Sequence, residues 1–151
     1  MLTWLYKLAD RARHQARSKR WAPDLAIGRR GEDIAHRYLQ AKGYSVVHRN
    51  YKTPGAKAEA DLVAWDGDTL VIIEVKTRTS EQYGPPERNI NRVKELKVIT
   101  AGEHYARRVD VPQERLRFDA ISIVLLGETI KVEHFPGSIR PKRNQFAIAG
   151  R

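Results

Sequence analysis

Apolar residues recur at helical spacing over 31–41, where Ile34, Ala35, Tyr38 and Leu39 fall on one side, Glu32 and Asp33 suit the positive end, and Gly43 can close the helix. Alternation then predicts a short strand over 44–49, followed by a loop over 50–58 that carries Pro54 and Gly55. Two apolar, β-branched runs, 59–65 and 69–77, flank Asp66-Gly67-Asp68, a strong hairpin signal. Pro85 and Pro86 introduce a second helix over 87–107, striped by Ile90, Val93, Leu96 or Lys97, and Ala101, and weakened by Gly102. Strands at 116–125 and 129–135, joined at Gly127-Glu128, complete the order α-β-β-β-α-β-β. Helices separated by runs of strands predict an α/β fold, a mixed β-sheet flanked by helices.

The 151 residues suffice for one domain, expected over 28–135, between a basic N-terminal arm at 1–27, whose pattern is compatible with a helix, and a basic C-terminal tail at 136–151. The absence of cysteine excludes a disulfide scaffold, a thiolate zinc site and a cysteine nucleophile. No run approaches the roughly 20 apolar residues of a membrane span. Charges at Lys7, Asp10, Arg11 and Arg13 interrupt the first 21 residues, unlike a secretory signal, so a cytoplasmic location is expected.

Charge is concentrated at the ends. The formal net charge is +10, of which residues 1–30 carry +6 and 136–151 carry +4, while 31–135 balance 16 basic against 16 acidic residues. Basic arms on a neutral body suit a polyanion, since each neutralised phosphate releases a counterion without any base contact. Nucleic acid is therefore the expected partner, charge alone not distinguishing DNA from RNA, with Arg17, Lys19, Arg20, Arg29, Arg30, Arg140, Lys142 and Arg143 as backbone contacts. Two alternatives stay open: basic ends that serve solubility, and a basic amphipathic helix built on Leu2, Leu5, Leu8, Ala9 and Ala12 that lies on an anionic membrane surface.

Side chains two apart on a strand share a face, which pairs Glu59 with Asp61 and Glu74 with Lys76. A loop at Asp66-Gly67 sets residue 61 opposite 72, and a loop at Gly67-Asp68 sets 61 opposite 74. Either two-residue register puts all four side chains on one side, and a three-residue loop would separate them. Two carboxylates at about 4 Å repel by about 4 kcal/mol at an effective dielectric of about 20, which Lys76 offsets only in part. A divalent cation would relieve the repulsion, and oxygen ligands select Mg2+ or Mn2+. Asp61 and Glu74 are the candidate ligands, and Lys76 the candidate catalytic residue, placed to orient or deprotonate a water and to stabilise charge on a phosphate. The alternative is a solvated cross-strand salt bridge at Glu-Val-Lys.

Asp61, twelve intervening residues and Glu74-Val75-Lys76 resemble the PD-(D/E)xK nuclease superfamily, with Glu32 in the helical place that archaeal Holliday-junction resolvases use. Gly31-Glu32, Tyr38-Leu39, Gly43-Tyr44, Arg49-Asn50, Asp61-Leu62-Val63, Glu74-Val75-Lys76-Thr77-Arg78 and Arg117-Phe118-Asp119 further resemble the YraN family of bacterial proteins. The resemblance implies a restriction-endonuclease-like core and endonuclease activity, with Asp61 and Glu74 as metal ligands, Lys76 catalytic, and Glu32 supporting the metal or its water. It also implies a recurrent acidic position at Glu59, a Lys position at Lys94, open either to a phosphate contact or to pairing with its helical neighbours, and, through the resolvases, a homodimer as the candidate assembly. Ala58 stands where the family commonly has glycine, so the loop entering the site departs from the pattern.

Arg78 shares the face of Lys76 and is a candidate phosphate contact, whereas Asp119, amid apolar residues, suits a buried hydrogen-bonded role. The histidines show no ligand spacing. The leading expectation is a metal-dependent endonuclease acting on DNA, branched or single-stranded. The alternatives are a nucleic-acid-binding protein with the same fold but no turnover, and an adaptor acting through its basic ends.

Overall fold

The computed structural model describes residues 4–20, 23–80 and 92–142; the side chains of 18–20 and 23 lie outside that description. Two N-terminal helices, α1 (Trp4–Arg20) and α2 (Pro23–Ala41), precede strands β1 (Ser45–Lys52), β2 (Glu59–Asp66) and β3 (Thr69–Arg78), helix α3 (Arg92–Arg108), and strands β4 (Leu116–Leu126) and β5 (Thr129–Phe135). Helix α2 begins before residue 31, β1 continues through the start of the expected loop, and Pro54–Ala56 forms a single 3-10 turn. The Pro85-Pro86 entry to α3 and its expected residues 87–91 lie outside the described residues.

The strands form one mixed sheet in the order β1-β2-β3-β4-β5. All neighbours are antiparallel except β3 and β4, which pair in parallel from Leu70↔Leu116 to Arg78↔Val124. A parallel pair requires a long crossover, and the chain makes it through α3. Strand β3 is thereby central: Leu70, Val71, Ile72 and Ile73 are all fully buried, which is why its sequence is a continuous apolar run rather than an alternation. Val71, Ile73 and Val75 pack with Ile34 and Leu39 of α2, and Leu70 and Ile72 pack with Val98, Ile99 and Ala101 of α3. Ile139, within the stretch expected as a tail, is buried, and its N–H donates to the Phe118 carbonyl at 3.3 Å.

The expected stripe on α3 is rotated. Val93 and Leu96 are exposed, while Val98, Ile99, Ala101, Gly102 and Ala106 face the sheet. The small residues decide this, because a Cβ on Gly102 would lie 2.5 Å from Phe118 Cε1 and 2.7 Å from Ile72 Cγ1. Glycine here permits close approach of helix to sheet, which outweighs its poor helix propensity.

Helix α1 is attached by polar groups. Tyr6 and Asp10 are buried, Asp10 meets Arg30 at 3.0 Å, and Arg17 and Arg13 meet Asp33 at 2.7 and 3.6 Å. Periodicity marks Leu5 and Leu8 as one face of a helix here, but that face is exposed and the inward one is polar, and the observed order gains a helix: α-α-β-β-β-α-β-β.

Gly102→Ala lowers the free energy of unfolding by about 1–3 kcal/mol in urea titrations although alanine is the better helix former, whereas Leu96→Ala on the exposed side changes it by less than about 0.5 kcal/mol.

Candidate active site

The β2–β3 hairpin takes the second of the two expected registers. Asp66 pairs with Thr69 around Gly67-Asp68, and Gly67 adopts φ 57°, a left-handed conformation natural to glycine. Pairing continues to Leu62↔Ile73, one step short of Asp61 and Glu74. There the strands stop exchanging backbone bonds, and the Val75 N–H donates instead to Asp61 Oδ2 at 2.7 Å. A carboxylate has replaced a ladder carbonyl at the end of a buried hairpin.

Burial pushes the Asp61 carboxyl up from its ordinary 3.8 to about 7, the Val75 N–H opposing and the charges of Glu32 and Glu74 adding. Glu74 is raised as well, again by burial, with Lys94 and Lys76 opposing. Lys76, on the same strand, is lowered by burial, and Lys94 and Arg78 add to that effect against the attraction of Glu74. Lys94 of α3 reaches Glu74 Oε1 at 3.8 Å with its side chain 66% exposed.

Glu32 comes from α2, and Gly31 sets how closely that helix approaches, since a Cβ there would overlap Thr77 Oγ1. Glu32 accepts from Arg29 Nη1 at 3.0 Å and Asn50 Nδ2 at 3.3 Å, with Arg49 Nη2 at 3.6 Å. A β-bulge between Val46 and His48 places Arg49 opposite Leu62, on the α2 side, where it also meets Asp33 at 2.8 Å. Asn50 then falls between the pairs Arg49↔Leu62 and Tyr51↔Ala60, opposite Asp61, at a left-handed φ of 51°. Its Oδ1 is buried without a hydrogen-bond partner. Sequence reasoning assigns Asn50 no role; the signal that points to it is its place in the Arg49-Asn50 motif.

Among the described residues no three His, Asp or Glu side chains are grouped as ligands of one ion. The donor set nevertheless fits a hard dication: two carboxyls destabilised by burial, and, opposite Asp61 in the β1–β2 register, an Asn50 whose oxygen has no partner. Glu32 acts on Asp61 through its charge, while its own oxygen is held by Arg29 and Asn50. Glu59 opens β2 opposite Lys52.

The expected phosphate contacts divide into two groups. Arg17, Arg29 and Arg30 are turned inward to Asp33, Glu32 and Asp10 and hold the fold together. Lys94, Arg140 and Lys142 are exposed, and Arg78 is partly buried beside Lys76. The side chains of Lys19 and Arg20, and the whole of Arg143, lie outside the described residues. Asp119 is fully buried and accepts from Arg117, His134 Nε2 and the Gly137 N–H. Burial opposes its charge, yet the bonds from His134, Arg117 and Gly137 prevail and hold its carboxyl below the usual carboxylate range.

The model of the Uncharacterised protein family UPF0102 matches residues 31–123, which span every element from the middle of α2 to β4. A UPF0102 protein of Solibacter usitatus is 44% identical over 138 residues, covering 91% of this chain and 99% of its own. One from Geobacter metallireducens is 36% identical over 113 residues, covering 75% and 91%. Among solved structures, Archaeoglobus fulgidus Hjc, a Holliday junction resolvase from an archaeal hyperthermophile, aligns with a TM-score of 0.46 at 21% identity, covering 76% of this chain and 83% of that one.

Between pH 3.8 and about 7 the folded chain keeps a proton on Asp61 that the unfolded chain releases. The stability this supplies is complete below the lower value and lost as pH rises through the upper one. Thermal melting in chelator therefore shows stability falling across this interval, and Asp61→Asn, which retains an acceptor for the Val75 N–H, melts several degrees higher than the wild type at pH 8.

Proposed function

The chain belongs to the Uncharacterised protein family UPF0102, and from the chemistry of its site we propose that it is a metal-dependent endonuclease that hydrolyses phosphodiester bonds in DNA. One observation carries this reading: Asp61 and Glu74, both held where ionisation is unfavourable, stand at one end of a hairpin with Lys76 and Lys94 beside them. Two carboxylates with lysines is the composition a phosphodiester hydrolase uses, anionic where a cation binds and cationic where the phosphate lies.

Asp61 and Glu74 would hold Mg2+ or Mn2+, and the unpartnered Asn50 oxygen is a further candidate donor. Such an ion supplies positive charge to a phosphoryl oxygen and promotes ionisation of a water. Lys76, whose proton is loosened by burial, is suited to exchange a proton with the attacking water or to offset charge growing on the phosphate. Lys94 meets the backbone from the α3 side, and Arg78 lies next to Lys76 to take a neighbouring phosphate. Glu32 keeps the field around Asp61 negative, and Arg29 and Arg49 fix its position. Arg140, Lys142 and Arg143 add sequence-independent grip on DNA, a polyanion that their charge matches.

A second reading has its own support. Glu32 Oε2 is already taken by Arg29 and Asn50, which favours a protein that binds DNA through this face without turning it over.

Incubation of supercoiled, single-stranded and four-way-junction DNA with Mg2+ or Mn2+ separates the two. Endonuclease activity predicts cleavage of at least one substrate, lost by on the order of 10³-fold in Asp61→Ala and in Lys76→Ala. Identical behaviour of wild type and Asp61→Ala on every substrate returns the site to binding alone. Replacing Arg140, Lys142 and Arg143 together with glutamine lowers the slope of log affinity against log salt by about one for each phosphate that is no longer neutralised. Deleting α1 would be a poor probe, because Asp10 and Arg17 tie it to α2.

A further inference from the structure

Helix α1 is inverted relative to an ordinary surface helix. Trp4 and Leu5 are each 70% exposed and Leu8 is 44% exposed, and helical spacing sets these positions on one side together with the exposed Ala12 and Ala16. The opposite side, turned to α2, carries Tyr6, Asp10 and Arg17. A water-soluble helix places such groups the other way round, and leaving three large apolar side chains in solvent forfeits burial that each would gain elsewhere.

Charge narrows what can cover this face. Residues 4–20 hold six basic residues and one acid, a net +5, and the acid is Asp10, buried against Arg30. The outward surface of α1 is therefore apolar and cationic with no carboxylate of its own. Lys7 is exposed, and Arg11, 52% exposed, reaches Glu128 of the β4–β5 turn at 3.0 Å. A second copy of the chain would bring two such cationic helices together. Duplex DNA would satisfy the charge but offers little to Trp4, Leu5 and Leu8. A surface that is anionic at its headgroups and apolar just beneath them satisfies both.

We propose that α1 seats the protein on an anionic bilayer, with Trp4, Leu5 and Leu8 entering the interfacial zone and the lysines and arginines meeting lipid phosphates. Among the described residues no helix is long and apolar enough to cross a membrane, so the attachment is to the surface. The proposal is independent of the nuclease reading, since none of these residues lies at the Asp61–Glu74 site.

The test is flotation of the full chain with vesicles of phosphatidylglycerol and phosphatidylcholine, beside vesicles of phosphatidylcholine alone. The wild type floats with the anionic vesicles and not with the neutral ones. The double variant L5Q/L8Q partitions about tenfold less or weaker still, while its melting temperature and its affinity for duplex DNA stay unchanged. Absence of flotation overturns the proposal, and so does equal flotation of L5Q/L8Q, which would mean attraction of charge alone. Light scattering covers the remaining occupant: a dimer that L5Q/L8Q converts to monomer, without vesicle binding, assigns the face to a second copy. A lower melting temperature in L5Q/L8Q would show the apolar side already packed within the chain, and would equally reject a membrane seat.

Discussion

Asp61 sits where an ionised carboxyl is disfavoured, and its surroundings are arranged to keep it there. The Val75 N–H holds one oxygen, the ladder stops one step away, and the charges of Glu32 and Glu74 press on it from two elements. In water a carboxylate costs nothing to ionise near neutrality; near the start of β2 it does, which marks the group as a functional-site candidate. The stabilising interactions lie elsewhere, in the doubly covered β3 and in the Asp119 network, which is satisfied from every side. The contrast between these two aspartates, Asp119 fully buried and Asp61 partly so, is instructive. Asp119 is surrounded by donors and held below its usual range, whereas Asp61, with the Val75 N–H opposing burial and two nearby acids, rises.

The other half of the site depends on close approach made possible where side chains are missing. Gly31 lets α2 close onto Thr77, which sets Glu32 at the end of β3, and Gly102 lets α3 close onto Phe118 and Ile72, which brings Lys94 over Glu74. Both helices thus approach the sheet at a glycine; Glu32 adjoins the first, and Lys94 lies about two turns before the second. Precision at the site comes from close packing of backbone against core, which is stiffer than any arrangement of long side chains.

Much of this is legible in the sequence. Period two in the hairpin, with Gly67 in its turn, puts Asp61 and Glu74 at one end, because strand pairing leaves only two tight registers and both agree on the face. The apolar run of β3 announces a strand covered on both sides. Less is visible where burial is polar or backbone-driven. The role of α1 is hidden because its inward face carries Asp10 and Arg17, and hydrophobic periodicity is blind to ion pairs. The buried face of α3 differs from the apolar stripe because close approach at Gly102 outweighs the larger Val93 and Leu96. Inward use of Arg29 and Arg30 is not readable from charge counts, since a composition does not say which cations are already paired. Asn50 is inconspicuous because a bulge, which shifts every residue after it, leaves little trace in the sequence.

That same bulge has a consequence at the border of the sheet. Strand β1 is an outer strand, with one row of amide and carbonyl groups directed away from β2, and a flat strand of this kind is a template onto which a stray polypeptide can zip. The kink after Val46 breaks the spacing of that row, so an incoming strand can match it on one side of the irregularity but not across it. A distortion that aims Arg49 at the acids of α2 thereby also interrupts the regular row on which such strand addition depends.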